Sequence, residues 1–358
     1  MAERSNKTAA DLICSAFKRH GVTHVFGQSI PVPFHLAAPR WGIKQVAYRA
    51  ENAGGAMADG FARISGRVGV VTAQNGPAAT LLVPPLAEAL KASIPVLALV
   101  QDVSRDTSER NAFQELDHLA LFSGVTKWTR RVDHIARLPD YIDSAFTAAC
   151  SGRPGPAALV VPADLFHEAA SIDARRGQNL GHYPLDRPVA DPEFVSAAAR
   201  VLAAAQRPLV IAGGGIHLSQ AVSALIELQQ IAHLPIATTT MGKGAVDETH
   251  PLSVGVVGYF MGPNGVTRYL RDLVAQADVV FLIGTRTNQN GTDSWSLLPR
   301  NATFIHLDAD GQEVGRNYES LRLVGDARST LIALIDAMRS LDLSKRRNAR
   351  MALEATIA

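Results

Sequence analysis

At 358 residues, 47% hydrophobic and 19% charged, the chain is long enough for about two to three domains with their own cores and has the balance of an ordinary globular enzyme. Its 35 basic and 33 acidic residues leave a net charge of +2, spread along the chain, which argues against a dedicated nucleic-acid surface and so against a nucleic-acid partner. Two cysteines, Cys14 and Cys150, are too few for a disulfide framework, and neither a signal-peptide start nor a run of 18 apolar residues occurs, so the expectation is a cytoplasmic protein with no membrane partner.

In chain order, Thr8 is placed to cap a first helix whose apolar positions Leu12, Ile13, Ala16 and Phe17 share a face, and Gly21 ends it. VTHVFG (22–27) reads as a buried strand and QVAYR (45–49) as the next. Glu51 follows at the head of a helix of small residues, ENAGGAMADGFARIS. Strands are predicted at 68–73, 95–100 and 156–161, with helices near 77–91 and 134–150. Strands alternating with helices predict a parallel α/β sheet, one domain over 1–165.

Residues 166–191 lack periodicity and collect Gly, Pro, Asp and Arg, the composition of a linker. A second alternation fills 192–340: helix 193–205, strand 208–213, helix 219–233, strand 235–240, helix 264–276, strands 278–284 and 303–308, then LRLVGD and a final helix. The fold class is therefore α/β, with two open, mainly parallel sheets flanked by helices, the second Rossmann-like. The remaining 341–358 reads as the start of a linker to a further domain, and its Lys345, Arg346, Arg347 and Arg350 as a solvated helix face.

No HExxH, paired CxxC, GxSxG or GxxxxGK[ST] occurs, which removes the usual support for zinc hydrolase, serine hydrolase and P-loop chemistry. No metal ligands are assigned. The turn AGGGIHLS (212–219) sets Gly213, Gly214 and Gly215 between a buried strand and a helix that Ser219 can cap, a shape that either holds a nucleotide phosphate or is simply a turn. Glu51 stands out more. Two adjacent glycines weaken its helix by about 1 kcal/mol each, yet small residues let a backbone or a flat ligand approach closely.

The stretch AENAGGAMADGFARISGRVGVVTAQNGPAAT, with LAEALKASIPVLALV and NAFQELD after it, resembles the pyrimidine-binding domain of thiamine diphosphate enzymes of the acetolactate synthase type. LVIAGGG, PIATTTMGKGAVDETHPLSVG, ADVVFLIGTR and IHLDADGQEVGRNY continue the resemblance through that family's central domain, over about 8–340. The resemblance implies that Glu51 meets a ring nitrogen of the cofactor's aminopyrimidine and favours its imino form, and that Gln114 lies beside a small 2-keto acid substrate. Gly27 and Gln28 match the loop that faces the pyrimidine, and Gln74, Asn75, Gly76 and Pro77 the turn under the cofactor. Arg153, Gly214 of the Gly213–Gly215 turn, Arg286 and Asp308 match positions that hold flavin adenine dinucleotide in the synthases. Related decarboxylases keep this domain without flavin, so flavin stays open.

Ala50 stands where the family commonly has His, and Ala78 replaces the second glycine of its Gly-Pro-Gly turn. Gly325-Asp326-Ala327 is not the Gly-Asp-Gly that begins the family's third, diphosphate-binding domain. The resemblance therefore implies the pyrimidine and central parts of an acetolactate synthase-like carboligase or 2-keto acid decarboxylase, inactive alone, with Mg²⁺ held by a separate diphosphate-binding domain. It also implies a homodimer, built on the 52–65 helix through Gly54, Gly55, Ala56 and Ala58 and on the apolar stripe at 81–90. The second class is a non-catalytic nucleotide- or flavin-binding protein that keeps the fold.

Overall fold

A computed structural model describes residues 6–172 and 178–358. The chain divides into two compact units, Met1–Leu185 and Asp186–Ala358.

The first unit is a six-stranded parallel sheet of β1 (His24–Phe26), β2 (Lys44–Val46), β3 (Gly69–Ala73), β4 (Val96–Asp102), β5 (Trp128–Arg131) and β6 (Ala157–Pro162), in the order β2-β1-β3-β4-β6-β5. The order reverses between β1 and β3, which opens a crevice at the carboxyl ends of those strands. β3 is wholly buried, as a parallel strand between two helical layers must be, and its one polar side chain, Thr72, is hydrogen-bonded to His35. Thr8 caps the helix Ala9–Arg19 by accepting from the Asp11 amide, and Leu12, Ile13, Ala16 and Phe17 are buried. Pro84 and Pro85 sit just inside Val83–Ala92, and the helix expected over 77–91 is broken into Pro77–Thr80 and Val83–Ala92. β5 was not anticipated. It is an edge strand, and WTRR carries no apolar run.

Helix Glu51–Ser65 packs on β3 and on Val83–Ala92. Its glycines serve contacts within the unit, which corrects their expected role between subunits. A Cβ on Gly54 would overlap the Tyr48 ring, and one on Gly55 would lie 2.5 Å from Pro85 Cγ. Ala58 is buried, its carbonyl seated against Gly69. The 81–90 stripe likewise turns Leu82, Leu86 and Ala89 into the core. What stays outside is a different face of the helix: Ala53, Ala56, Met57 (41% exposed), Gly60 and Ile64 (91% exposed).

The segment read as a linker is largely part of the units. Ala169–Ala170 pairs antiparallel with Lys7–Thr8. Phe166, Leu180 and Tyr183 are buried, and the Tyr183 hydroxyl donates to the Ala62 carbonyl at 2.7 Å. Residues 173–177 of that segment, like residues 1–5 of the first predicted domain, lie outside the described residues.

The second unit has β7 (Pro208–Ala212), β8 (Ile236–Thr238), β9 (Ser253–Val256), β10 (Val279–Ile283), β11 (Thr303–Asp308) and β12 (Ser320–Val324), all parallel, in the order β9-β8-β7-β10-β11-β12. An apolar cluster lies against each face, one around Val210, Leu225 and Leu331, the other around Leu209, Val280 and Phe304. The helix expected over 264–276 is reduced to Arg268–Leu270 and Arg271–Ala275. The expected terminal linker is a helix, Ser344–Ile357, packed on Pro192–Ala204. Arg346 is 0% exposed and donates to the Ala205 carbonyl at 2.8 Å, while Lys345 donates to Ala204 at 2.5 Å. These two close the carboxyl end of a neighbouring helix, where positive charge is favoured; Lys345 and Arg347 are exposed as expected, and Arg346 alone is withdrawn from the solvated face.

Candidate functional site

In the first unit the predicted residues converge on the β1–β3 crevice. Gly27 and Gln28 leave β1. The Gln45 side chain donates to the carbonyls of both, and Gln28 Nε2 donates to the carbonyls of Tyr48 and Arg49 at 3.0 and 3.1 Å. This ties β1 to the strand of residues that leads into Glu51. The Tyr48 hydroxyl crosses to the Thr72 carbonyl of β3 at 2.6 Å.

Glu51 is half-buried in the first turn of a 15-residue helix, where a negative side chain is favourably placed against the free backbone N–H groups. Among the described residues its carboxylate has no hydrogen-bond or ion-pair partner. Burial first, and the Glu51 charge second, push the Tyr48 phenol up and keep it a donor.

Gln74, Asn75, Gly76 and Pro77 leave β3, and the loop that carries Gln114 folds against them. Asn75, 4% exposed, donates to the carbonyls of Phe113 and Gln114 at 2.8 and 3.0 Å, and Gln74 Nε2 reaches Gln114 Oε1 at 3.3 Å. Gly76 has φ +63°, and a Cβ there would sit 2.5 Å from the Gln114 carbonyl oxygen, so only glycine fits. Gln114 is itself left-handed. The Glu115 carboxylate accepts from the Glu109 and Ala112 amides, which hold it below the usual carboxylate range.

Two residues behind this turn carried no sequence signal. Gly76 N–H donates to His118 Nε2 at 2.9 Å, and His118 Nδ1 lies 3.1 Å from Asp102 Oδ1, poorly aligned for a hydrogen bond. Burial alone would raise the Asp102 carboxyl, but His118 and Arg131 outweigh it and hold it low. Only Asp117, the cap of the short helix that His118 begins, was detectable in principle.

Arg153 is elsewhere. It lies just before β6, at the amino edge of this sheet, opposite the Glu51 crevice. In the second unit Gly213–Gly215, Arg286 and Asp308 do share the carboxyl edge of one sheet, after β7, β10 and β11. The glycine turn differs from a phosphate cradle. The amides of Gly213 and Gly215 donate to Ile283 and Gly284 carbonyls at 2.8 and 3.0 Å, and a Cβ on Gly215 would lie 2.6 Å from Gly284 Cα. Close strand contact accounts for these glycines. Ser219 does not cap the helix that follows it; its hydroxyl accepts from the Arg328 amide at 2.9 Å and donates to Asp326 at 2.5 Å, at the head of Ala327–Arg339, which Asp326 caps. That is the use of Asp326 in Gly325-Asp326-Ala327. Among the described residues no group of three His, Cys, Asp or Glu is arranged to hold a metal.

His306 braces this edge. Its Nε2 donates to the Thr285 carbonyl at 2.9 Å and its Nδ1 accepts from Gly315 at 3.2 Å. Burial, and then repulsion from Arg322, lower it from 6.5 to about 4. Folding thus disfavours the proton, so stability rises with pH between about 4 and 6.5 and is lost as pH falls through that window, by up to about 3 kcal/mol. Urea unfolding of the second unit should show this slope, and His306→Gln should flatten it.

Two family models match the chain: "Thiamine pyrophosphate enzyme, N-terminal TPP binding domain" over residues 7–121 and "Thiamine pyrophosphate enzyme, central domain" over residues 195–334. The chain belongs to the thiamine pyrophosphate enzyme family. It is similar to an acetolactate synthase of Arthrospira platensis (34% identical over 90% of this chain and 57% of the relative) and a probable acetolactate synthase large subunit of Methanocaldococcus jannaschii (34%, 93% and 56%). It is also similar to a sulfoacetaldehyde acetyltransferase of Castellaniella defragrans (32%, 93% and 55%). The chain spans somewhat over half the length of these relatives. No described helix is long and apolar enough to cross a membrane.

Proposed function

We propose that these units are the pyrimidine-binding and central parts of a cytoplasmic, thiamine diphosphate-dependent carboligase or decarboxylase of the acetolactate synthase kind, acting on a small 2-keto acid. The observation that carries this is Glu51: a half-buried carboxylate at a helix amino end, without a partner among the described residues, beside a strand-order reversal. A basic ring nitrogen is the complement such an acid lacks, and the aminopyrimidine of thiamine diphosphate supplies one. When bound, the cofactor supplies a carbon nucleophile that adds to the keto group.

Glu51 would hold a proton at that ring nitrogen. Gln28 and the 74–77 turn would wall the ring, and Gln114 would face the substrate. The diphosphate and its Mg²⁺ are assigned to a diphosphate-binding domain outside the two described units, so residues 1–358 by themselves should not turn over pyruvate. A homodimer is proposed through the exposed face Ala53, Ala56, Met57, Gly60 and Ile64, where Ala56→Arg should shift light scattering toward monomer.

The alternative is a non-catalytic flavin- or nucleotide-binding protein. It would rely on Gly214, Arg286 and Asp308, because the flanking glycine amides are already paired. The two readings separate in one titration of ¹⁵N-labelled protein. Thiamine should move the amides of Gly27, Gln28, Glu51, Gln74 and Gly76, and Glu51→Gln should weaken it at least about tenfold, about 1.4 kcal/mol. Shifts confined to the second unit with flavin adenine dinucleotide, and none with thiamine, would replace the first reading by the second.

A further inference from the structure

We propose that His118 is a positioning residue: by accepting the Gly76 amide at Nε2 it fixes the Gln74–Pro77 turn, and through it the pairing of Gln74 with Gln114. The link to ligand binding rests on the reading of the crevice as a thiamine site, whereas the hydrogen bond itself stands apart from it.

A ring nitrogen that accepts from an N–H carries no proton, so neutral His118 holds its hydrogen on Nδ1, the atom that faces Asp102. His118 is 3% exposed, and Asp102 is fixed in turn by Arg131 Nε at 2.8 Å. The ring is thus backed by the Asp102 carboxylate at 3.1 Å, without an aligned hydrogen bond to it, and presents a single acceptor forward. The group it meets needs holding. Gly76 has φ +63° and ψ −124°, a conformation to which the chain has no local preference.

The turn is tied to the loop and to the residue just beyond it, as donor at each point. Asn75 of the turn donates into the loop carbonyls at Phe113 and Gln114, and the turn's Gly76 amide donates to His118 just beyond that loop. Remove the acceptor and Gly76 keeps a buried N–H with nothing to meet it. The turn is then free to rotate that N–H outward, which parts Gln74 from Gln114.

A core histidine chosen only for shape would behave differently. Gln places an acceptor oxygen the same number of bonds from the backbone as His Nε2, whereas Leu fills similar space with no acceptor. In the ¹⁵N-labelled full chain a scalar coupling across the hydrogen bond should join Gly76 N to His118 Nε2. In thiamine titrations His118→Gln should stay within about threefold of the parent and His118→Leu should lose at least about tenfold. Absence of the coupling in the unmodified chain, or equal losses in the two variants, overturns the proposal. If His118→Leu does not fold, the coupling and the Gln variant decide. If the unmodified chain binds no thiamine, the reading of the crevice fails, and the coupling alone decides whether His118 holds the turn.

Discussion

Replacing Glu51 by Gln is expected to lower the turnover of an active assembly containing this chain by about 100- to 10,000-fold, the range typical for loss of a group that holds a proton in the transition state. The amide matches the acid in shape and loses only the charge. Glu51 is half-buried at the head of a helix with no partner among the described residues, so folding should lose no more than about 1 kcal/mol, the usual worth of an acidic charge at a helix amino end. The informative comparison is turnover against the urea midpoint. Turnover within a factor of about three of the parent would remove Glu51 from the chemistry.

The second large effect is on stability. Gly69 opens β3 directly beneath helix Glu51–Ser65, and a Cβ there would overlap the carbonyl oxygen of Ala58. That atom is backbone, so nothing yields unless the helix itself lifts. Gly69→Ala should therefore cost about 3 kcal/mol or more, at or above the upper end for overpacking. Because the same helix begins with Glu51, the variant should lose thiamine binding even where it remains folded. A melting temperature equal to the parent's would show that the helix is not seated as tightly as this contact implies.

Much of the fold was legible because β7 and β10 are continuous apolar runs, and β3 and β4 nearly so, and such runs need no partner to be recognised. The elements that escaped are those whose identity depends on what lies beside them. Among the described residues β5 pairs with β6 alone, and Ser253–Val256 with β8 alone. Arg346 reads as solvated until the carbonyl of Ala205, far away in sequence, is placed above it. The same divide runs through the crevice. Glu51 could be found from the company of its neighbours in sequence, and the 74–77 turn and Gln114 with it. His118 and Asp102 could not, since their connection to Gly76 is made in space. The glycines misled in a consistent way. Small size was read as room for a ligand or a second subunit, but Gly54, Gly55, Gly213 and Gly215 are small because the chain's own rings and backbone are pressed against them.

The closing segment of the first unit bears on how it forms during synthesis. Residues beyond 165 supply the Gly181 carbonyl to Val68, the Leu180 amide to His20 and the Tyr183 hydroxyl to Ala62. A nascent chain therefore cannot finish this unit when its sixth strand emerges. It must wait until about residue 185 has cleared the ribosome, and a fragment ended at 165 would leave three early elements without the hydrogen bonds that complete them. The boundary suggested by composition falls where the polypeptide still owes its first half a clasp.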